Sequence, residues 1–371
     1  MRHQFGILLF TFIISSAAQA NLDLCRAILS SDQSTSQSLF MERATFGPEF
    51  TFTNRRLLNE EDGKNSPEKE KIFSKARELY EQMCKVRKDC KITIGYDKHG
   101  GNFRVTYNDG WYFEVGIDQG VIEAQTVKGT YRDFLKNRVR LKDDLFYFMK
   151  SLGLFPDAEV GGGHIHIGAD LFHEDPVLFR NFFADYANHP QLTVGVFSND
   201  NPNHPPIIFL KPEQQEGFVK ALKTFDAEEN PTLKNFIWNI HSLVYTEAYT
   251  PEWGGGAYYQ AIRLERMFWI NGMNTFELRG FRPQKSVDEF LLQLELIGAR
   301  MDYLKKNGQR VSFRFNESDA DLRPQAIVDN FYSYVTETGL SWNKFKVLLP
   351  NRLKTRKPSK TRFGFISNIF K

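Results

Sequence analysis

Strand-like segments follow one another directly along much of this chain, and helical segments are gathered between the groups of strands. Residues 103–108, 111–118 and 121–127 alternate polar and apolar side chains and are separated by short turns such as the "DQG" that begins at Asp118. Consecutive strands joined by tight turns pair antiparallel, whereas parallel strands need a long crossover between them. The pattern therefore predicts an α+β fold with a largely antiparallel sheet, and it disfavours a doubly wound parallel sheet.

Periodicity and capping signals predict the remaining elements. Further strands are expected over residues 44–53, 164–169, 258–270 and 274–281, the last two joined by a turn at "NGMN". Helices are expected over residues 66–87, 131–152, 175–188, 213–225, 232–246, 286–308 and 324–337. Ser66 is the expected N-cap of the first of these helices.

The two ends of the chain differ in character from the rest. Residues 1–20 combine Arg2, an apolar run over residues 5–14 and the small-residue ending "AQA", which is the pattern of a cleaved secretory signal peptide. The apolar run is too short to span a bilayer, and no later segment is apolar enough to do so. Residues 351–371 carry seven Lys or Arg and no acid, the composition of a solvated basic tail or of a contact to an anionic surface. The sequence predicts a periplasmic or secreted protein with one large domain over residues 21–350. Since the whole chain has a net charge of +3, that domain is net acidic and no nucleic-acid partner is expected.

The chain has an odd number of cysteines, Cys25, Cys84 and Cys90. Export would allow Cys84 and Cys90 to close a small disulfide. If the preceding helix continued through both of them, however, cysteines six residues apart would point to different faces. The sequence leaves both outcomes open, and cysteines dispersed in this way do not form a zinc site.

Three glycines lead into two histidines in "GGGHIHIGAD", residues 161–170. On a strand, His164 and His166 point to one face, and Ile165 and Ile167 point to the other. The isoleucines belong to the core, so the histidines should face a cleft, where such a pair suits metal ligation or phosphate contact. The alternative is a pair of surface histidines, which the glycine run disfavours because glycine lets a ligand or backbone approach closely.

Single acidic residues occupy other strands that are otherwise apolar. "NTFELRGF" sets Glu277 beside Arg279, "ATFGPEF" contains Glu49, "VIEAQT" contains Glu123, and Arg263 lies in "YYQAIRLER". Each alone fits an ordinary ion pair, but a buried carboxylate is costly unless it is paired or binds a cation. Carboxylates on neighbouring strands bind hard divalent cations and arginines hold phosphates. Together they predict a metal and phosphate site, and without a Walker A or G-x-G-x-x-G sequence any nucleotide would be held by the sheet itself.

The ordered set "FGPE", "GGGHIHIG" and "TFELRGF", with "NDG" at 108–110 ahead of "VIEAQT", resembles the glutamine synthetase superfamily and especially its amidoligase branch. These motifs span residues 46–282. Members activate a carboxylate with ATP as an acyl phosphate, which an amine then attacks to form an amide. The resemblance implies an amidoligase-like catalytic domain whose curved antiparallel sheet holds two or three Mg²⁺ or Mn²⁺ ions. The substrates would be small-molecule, peptide or protein carboxylates and amines, covered by loops that we predict at 196–212 and 249–257.

The resemblance also implies roles for individual residues. The implied metal ligands are Glu49, Glu123, His164 and Glu277. The implied nucleotide contacts are His166, Arg263 and Arg279, and the two arginines are also the implied catalytic groups. No residue is identified as the base that deprotonates the amine.

Two features depart from the family pattern. The first strand of the family usually reads G-x-E-x-E, whereas Thr51 replaces the second acid here, and this would remove or weaken one metal position. The export signal also places the protein where ATP is scarce. The protein could be delivered into another cell, use another phosphodonor, or bind its ligand without turnover.

Two other classes of function compete with the ligase. A secreted metal-dependent hydrolase would use His164 and His166 as zinc ligands, but it leaves "FGPE" and "TFELRGF" unexplained. It would need another histidine, for which His173, His189, His204 and His241 are available, and an acid. A non-catalytic binding descendant would keep the fold and lose the reaction.

Overall fold

The computed structural model describes residues 38–54, 67–97, 100–118, 121–158, 160–197, 206–245, 260–267, 274–313 and 321–359. Within these ranges the chain forms one open eight-stranded sheet flanked by helices. Every pair of neighbouring strands is antiparallel, so the predicted α+β class with an antiparallel sheet is confirmed. None of the helices in the described ranges combines the length and the apolar character that a membrane crossing requires.

The strands are numbered in chain order. They are β1 (Phe46–Phe52), β2 (Cys90–Asp97), β3 (Gly100–Tyr107), β4 (Tyr112–Asp118), β5 (Val121–Thr126), β6 (His164–Gly168), β7 (Ile262–Arg263) and β8 (Thr275–Leu278). Their order across the sheet is β2-β3-β4-β5-β1-β6-β8-β7. The first strand is therefore internal, with the β2–β5 meander on one side and the histidine strand β6 on the other.

The helices differ widely in length, and the two longest, α2 and α10, have 21 residues each. They are α1 (Leu39–Arg43), α2 (Pro67–Arg87), α3 (Tyr131–Lys136), α4 (Arg138–Arg140), α5 (Phe148–Ser151), α6 (Asp170–Glu174), α7 (Pro176–Ala187), α8 (Pro212–Ala227), α9 (Leu233–Leu243), α10 (Val287–Asn307), α11 (Pro324–Glu337), α12 (Trp342–Phe345) and α13 (Asn351–Lys354). Leu141–Tyr147 and Leu192–Val196 are π-helical, and Ile207–Phe209, Glu265–Met267 and Lys346–Leu348 are 3₁₀ turns.

Alternation along the strands gives the sheet one apolar face, and helices cover that face. Phe50 of β1 packs against Phe146 of the first π-helical segment, with ring centroids 5.1 Å apart, and against Phe290 of α10, at 5.4 Å. Phe276 of β8 packs in the same way against Phe179 of α7, at 5.1 Å. These fully or nearly fully buried rings anchor the sheet to its helices. Because successive strand residues alternate faces, the residues between them must point to the opposite face of the sheet.

Two strand predictions differ from the structure. The apolar and aromatic run 258–270 was expected to form one long strand, but its described part holds only β7 followed by the 3₁₀ turn Glu265–Met267. β7 pairs with β8 alone, at Ile262 with Leu278 and Arg263 with Glu277, because it is the edge of the sheet. The other edge strand, β2, was not predicted.

The helix predictions agree closely, apart from the segment 131–152. That segment is divided into α3, α4, a π-helical stretch and α5, and it ends before Gly153, which has a φ of +74°. The condition that would have prevented a disulfide, a helix running through both cysteines, is not met. The helix α2 ends at Arg87, and the chain turns at Lys88, with a φ of +59°. Cys90 then begins β2 and forms a disulfide with Cys84.

Some predictions fall outside the described residues. These are the signal peptide at 1–20, the N-cap Ser66, the loop at 249–257, residues 198–205 of the loop at 196–212, the turns at 119–120 and 271–273, and the end of the basic tail. The described part of the tail packs onto the domain: Leu353 of α13 is buried, and the Ser359 backbone N–H and hydroxyl donate to Asp329 of α11 at 2.7 Å each.

Candidate functional site

Three neighbouring strands bring two carboxylates and a histidine together on the polar face of the sheet. Glu49 of β1 lies opposite His164 of β6, and Glu277 of β8 lies opposite the next histidine of β6, His166. The Nδ1 atom of His164 lies 3.0 Å from Oε2 of Glu49 and 3.1 Å from Oε1 of Glu277. One ring nitrogen thus meets oxygens of two different carboxylates. Each of the three residues offers one ligand atom, and these atoms all lie within 4.8 Å of one another.

The second histidine joins the same cluster from the next position along β6. The Nε2 atom of His166 lies 2.8 Å from Oε1 of Glu49 and 4.0 Å from Oε2 of Glu277. Glu49 therefore uses one oxygen for each histidine. Both carboxylates are buried, with relative exposures of 6% for Glu49 and 1% for Glu277, so they need these partners.

Three guanidinium groups surround the cluster. Nη1 of Arg279 donates to Oε1 of Glu277 at 2.7 Å, and Nη1 of Arg263 donates to Oε2 at 3.3 Å. Nη1 of Arg266 lies 3.2 Å from Nε2 of His166 and 3.8 Å from Oε1 of Glu49. The arginines that contact Glu277 are buried, whereas the side chain of Arg266 is 30% exposed. The sequence analysis did not identify Arg266, which lies on the turn after β7.

Charge and hydrogen bonding keep both clustered carboxylates ionised. Burial opposes ionisation of Glu49, but the charge of His166 and hydrogen bonds from both histidines hold its pKa well below the usual range. Burial likewise opposes ionisation of Glu277, yet the charges of His164 and Arg279 lower its pKa. Both groups are therefore anionic at neutral pH.

The third predicted acid, Glu123, lies beside the cluster rather than in it. It occupies β5 opposite Thr51, and burial together with the charge of Glu49 raises its pKa well above the usual range. Gln125, two residues along the same strand, connects the two acids. Its Nε2 donates to Oε1 of Glu123 at 2.6 Å and to Oε1 of Glu49 at 3.3 Å. Alternation on β5 could have revealed Gln125, because residues two apart share a face.

Thr51 and the glycine run close one side of the cluster. The Thr51 hydroxyl donates to the backbone oxygen of Gly162 at 2.9 Å. A Cβ atom on Gly161 would lie 2.3 Å from Oγ1 of Thr51, and one on Gly162 would lie 2.5 Å from Nε2 of His164. Gly161 and Gly162 are thus required by the close approach of the chain's own side chains. A Cβ on Gly163 would lie 2.3 Å from the backbone oxygen of Arg282, so the expected close approach of backbone is confirmed at this glycine.

The other described histidines lie away from this cluster. Nε2 of His173 is 3.0 Å from the side-chain oxygen of Asn274, and Nε2 of His189 is 3.4 Å from Nη2 of Arg300. His241 lies on α9, and His204 is outside the described residues. Among the described residues, none of these histidines joins Glu49, His164 and Glu277. The described histidines His173, His189 and His241 therefore do not supply the additional histidine that the hydrolase hypothesis needs.

The donor set fits a hard divalent cation beside an anion. Two ionised carboxylates are ligands that Mg²⁺ and Mn²⁺ prefer, whereas the imidazole nitrogen is a ligand more typical of Zn²⁺ and other transition metals. Buried arginines anchored by a carboxylate can bind phosphate oxygens in fixed geometry. Comparison with models of known protein families gave no match, and comparison with curated proteins gave none either. The resemblance to the amidoligases therefore stays a prediction, and the chemistry must be argued from the site.

Proposed function

We propose that this protein is an exported carboxylate–amine ligase that binds ATP with Mg²⁺ or Mn²⁺ on the polar face of its sheet. It would activate a carboxylate as an acyl phosphate and pass it to an amine, as the resemblance to the glutamine synthetase superfamily implies. One observation carries the proposal: the carboxylates of Glu49 and Glu277 meet at a single nitrogen of His164, with arginines within 3.3 Å of the second carboxylate. Phosphoryl transfer needs this combination of cation ligands and phosphate donors.

The chain's own residues would position the metal ion and the phosphate groups. A divalent ion bound at this centre would neutralise charge on the oxygens being transferred. Glu49, His164 and Glu277 would hold that ion. Arg263 and Arg279 are already oriented by Glu277 and need little reorganisation to meet a phosphate. Burial and the charge of Glu49 raise the pKa of Glu123, which favours its protonated form, and Glu123 would serve as an additional ligand only in its ionised form.

Export of the protein is supported by two features, the sequence pattern of residues 1–20 and the disulfide between Cys84 and Cys90. Disulfides persist in oxidising compartments such as the periplasm. If the protein is exported, its nucleotide must reach it there or in a recipient cell. The binding site can be tested without knowing which of these routes operates.

The test is a calorimetric titration of ATP into the purified protein, with and without Mg²⁺. We expect binding that requires Mg²⁺ and that is lost in Glu277→Gln. The matched control is Glu114→Gln on β4, which makes the same change on the same face of the sheet, where Glu114 pairs only with Asn102 and Arg104 among the contacts that the structure shows. Circular dichroism must show that both variants are folded.

The outcomes separate the three classes of function. Mg²⁺-dependent ATP binding followed by slow, substrate-dependent ADP release identifies a ligase. Binding without turnover for any carboxylate and amine pair favours the non-catalytic descendant. Zinc that survives purification and disappears with His164→Ala, with no ATP binding, would overturn the proposal in favour of a hydrolase.

A further inference from the structure

Beside the metal centre proposed above, two further pairs of ligand-type side chains lie close together, and at each pair the chain places a donor of its own. The first lies against Glu49 and His166, where Nη1 of Arg266 is 3.2 Å from the imidazole nitrogen and 3.8 Å from the carboxylate oxygen. The second lies between Glu49 and Glu123, where the amide nitrogen of Gln125 meets both carboxylates at 3.3 Å and 2.6 Å.

At the first position, the positively charged guanidinium of Arg266 contacts the side chains that a second metal ion would contact, Glu49 and His166. His166 Nε2 lies 2.8 Å from Oε1 of Glu49, and the same nitrogen faces the guanidinium of Arg266. Because Nε2 of His166 donates to Glu49, it has no lone pair left for Arg266, whose Nη1 lies 3.2 Å from Nε2 and 3.5 Å from Nδ1 of the ring. The guanidinium therefore brings a positive charge to within 3.8 Å of Oε1 of Glu49, where a second cation would have to approach that carboxylate. Arg266 supplies this charge from a partly exposed turn, so the chain itself provides what a metal ion would otherwise supply.

The second position is occupied by an amide. Two carboxylates on adjacent strands repel each other unless a cation or a shared donor lies between them. The Gln125 amide is such a donor, and it carries no charge, which agrees with the raised pKa of Glu123. A glutamate at this place would instead add a third acid to the pair.

Thr51 lies two residues after Glu49 on β1 and shares its face of the sheet. It stands where the family pattern has a second acid on the first strand, and its hydroxyl is committed to the backbone oxygen of Gly162. The space beyond it is closed, since a Cβ on Gly161 would lie 2.3 Å from Oγ1 of Thr51. An arginine, an amide and a packed loop therefore lie at the places beside the centre where further ions would have to bind.

From these contacts we infer that the protein is a single-ion variant of the multi-ion centre. Glu49, His164 and Glu277 hold the one divalent ion, and Arg266 acts as a built-in positive charge in place of a second. This inference rests on the proposed function, because it presupposes the metal centre. It assigns to Arg266 and Gln125 the role of limiting how many ions bind.

The experiment counts bound Mn²⁺ per protein at saturation, by electron paramagnetic resonance of the free ion and by calorimetry, with and without ATP. We expect one protein-bound ion in the wild type. Two substitutions should open a second position: Arg266→Gln removes the competing charge, and Gln125→Glu adds a ligand of the same shape. Removing a like charge at this distance should also tighten binding at the first position by roughly tenfold or more.

The matched control is Arg104→Gln on β3, which removes another partly exposed arginine from the same face of the sheet, where Arg104 pairs with Glu114 at 2.8 Å. It should bind one ion with wild-type affinity. Two or more ions in the wild type would overturn the single-ion inference while leaving the metal centre in place. One ion in every variant would also overturn it, because Arg266 and Gln125 would then not hold accessory positions. No bound ion in folded wild-type protein, with or without ATP, would remove the metal centre and the proposed function with it.

Discussion

Replacing Glu277 by glutamine should destabilise the metal-free protein by about 3–5 kcal/mol, the usual loss when one partner of a buried ion pair is removed. The carboxylate is 1% exposed and lies between Arg279, at 2.7 Å, and Arg263, at 3.3 Å. Glutamine keeps the shape and one acceptor oxygen but removes the negative charge. Two buried guanidinium groups would then lose their shared counter-charge, and desolvated charges without partners are expensive. Since the pKa of Glu277 is lowered, the charge is present in the wild type at neutral pH.

The assay is urea denaturation in the presence of a chelator, followed by circular dichroism, with wild type, Glu277→Gln and Glu114→Gln compared at pH 7. The control removes the charge from a pair whose side chains are 45% and 29% exposed, and exposed pairs contribute about 0–1 kcal/mol. We therefore expect a much lower midpoint for Glu277→Gln and an almost unchanged midpoint for Glu114→Gln. A loss below about 1 kcal/mol in Glu277→Gln would refute the reasoning. It would mean that repulsion between Glu277 and Glu49 cancels the attraction of the arginines.

Two further predictions concern His189, a buried histidine away from the site, and Thr51, the threonine beside the site. Burial lowers the pKa of His189 to about 4 despite the nearby Asp185, against about 6.5 in an unfolded chain, so unfolding takes up a proton between these values. The free energy of unfolding should therefore fall by up to about 3 kcal/mol as the pH drops from about 6.5 to about 4. In urea titrations over that range, His189→Gln should show a smaller decrease than wild type. Equal decreases in the two proteins would show that another group is responsible. Thr51→Val removes the hydroxyl that donates to the backbone oxygen of Gly162 at 2.9 Å. In urea denaturation it should lower the free energy of unfolding by about 1 kcal/mol, whereas Thr51→Ser should keep most of the stability. A valine variant as stable as wild type would show that this hydrogen bond does not stabilise the glycine run.

Much of the sheet's polar face could be predicted from the sequence, because side-chain direction on a strand follows from position alone. Alternation placed Glu277 and Arg279 on one face and the two histidines of β6 on one face, and the structure confirms both placements. What alternation cannot give is register and strand order. That Glu49 lies opposite His164 depends on β1 lying between β5 and β6, and nothing local in the first strand encodes this.

The errors have physical causes of a similar kind. The long strand expected at 258–270 is limited by the sheet edge, since β7 pairs with β8 over only two positions and the chain then turns. Arg266 was missed because its role comes from that turn, which carries its guanidinium towards His166. The disulfide was undecided because its geometry depends on whether α2 ends before Cys90, and the turn at Lys88 decides that point.

The balance of charge at the cluster bears on the order in which ligands bind. Two carboxylates with lowered pKa values, Glu49 and Glu277, face three guanidinium groups, those of Arg263, Arg266 and Arg279. Before any ligand arrives the cluster therefore has no surplus of negative charge, so a bare divalent ion gains little net attraction there. A divalent ion that arrives with a polyphosphate brings its own negative charge, which the arginines can bind once the ion takes the carboxylates. Metal and nucleotide should accordingly bind more tightly together than either does alone, and by linkage each should raise the affinity for the other by the same factor.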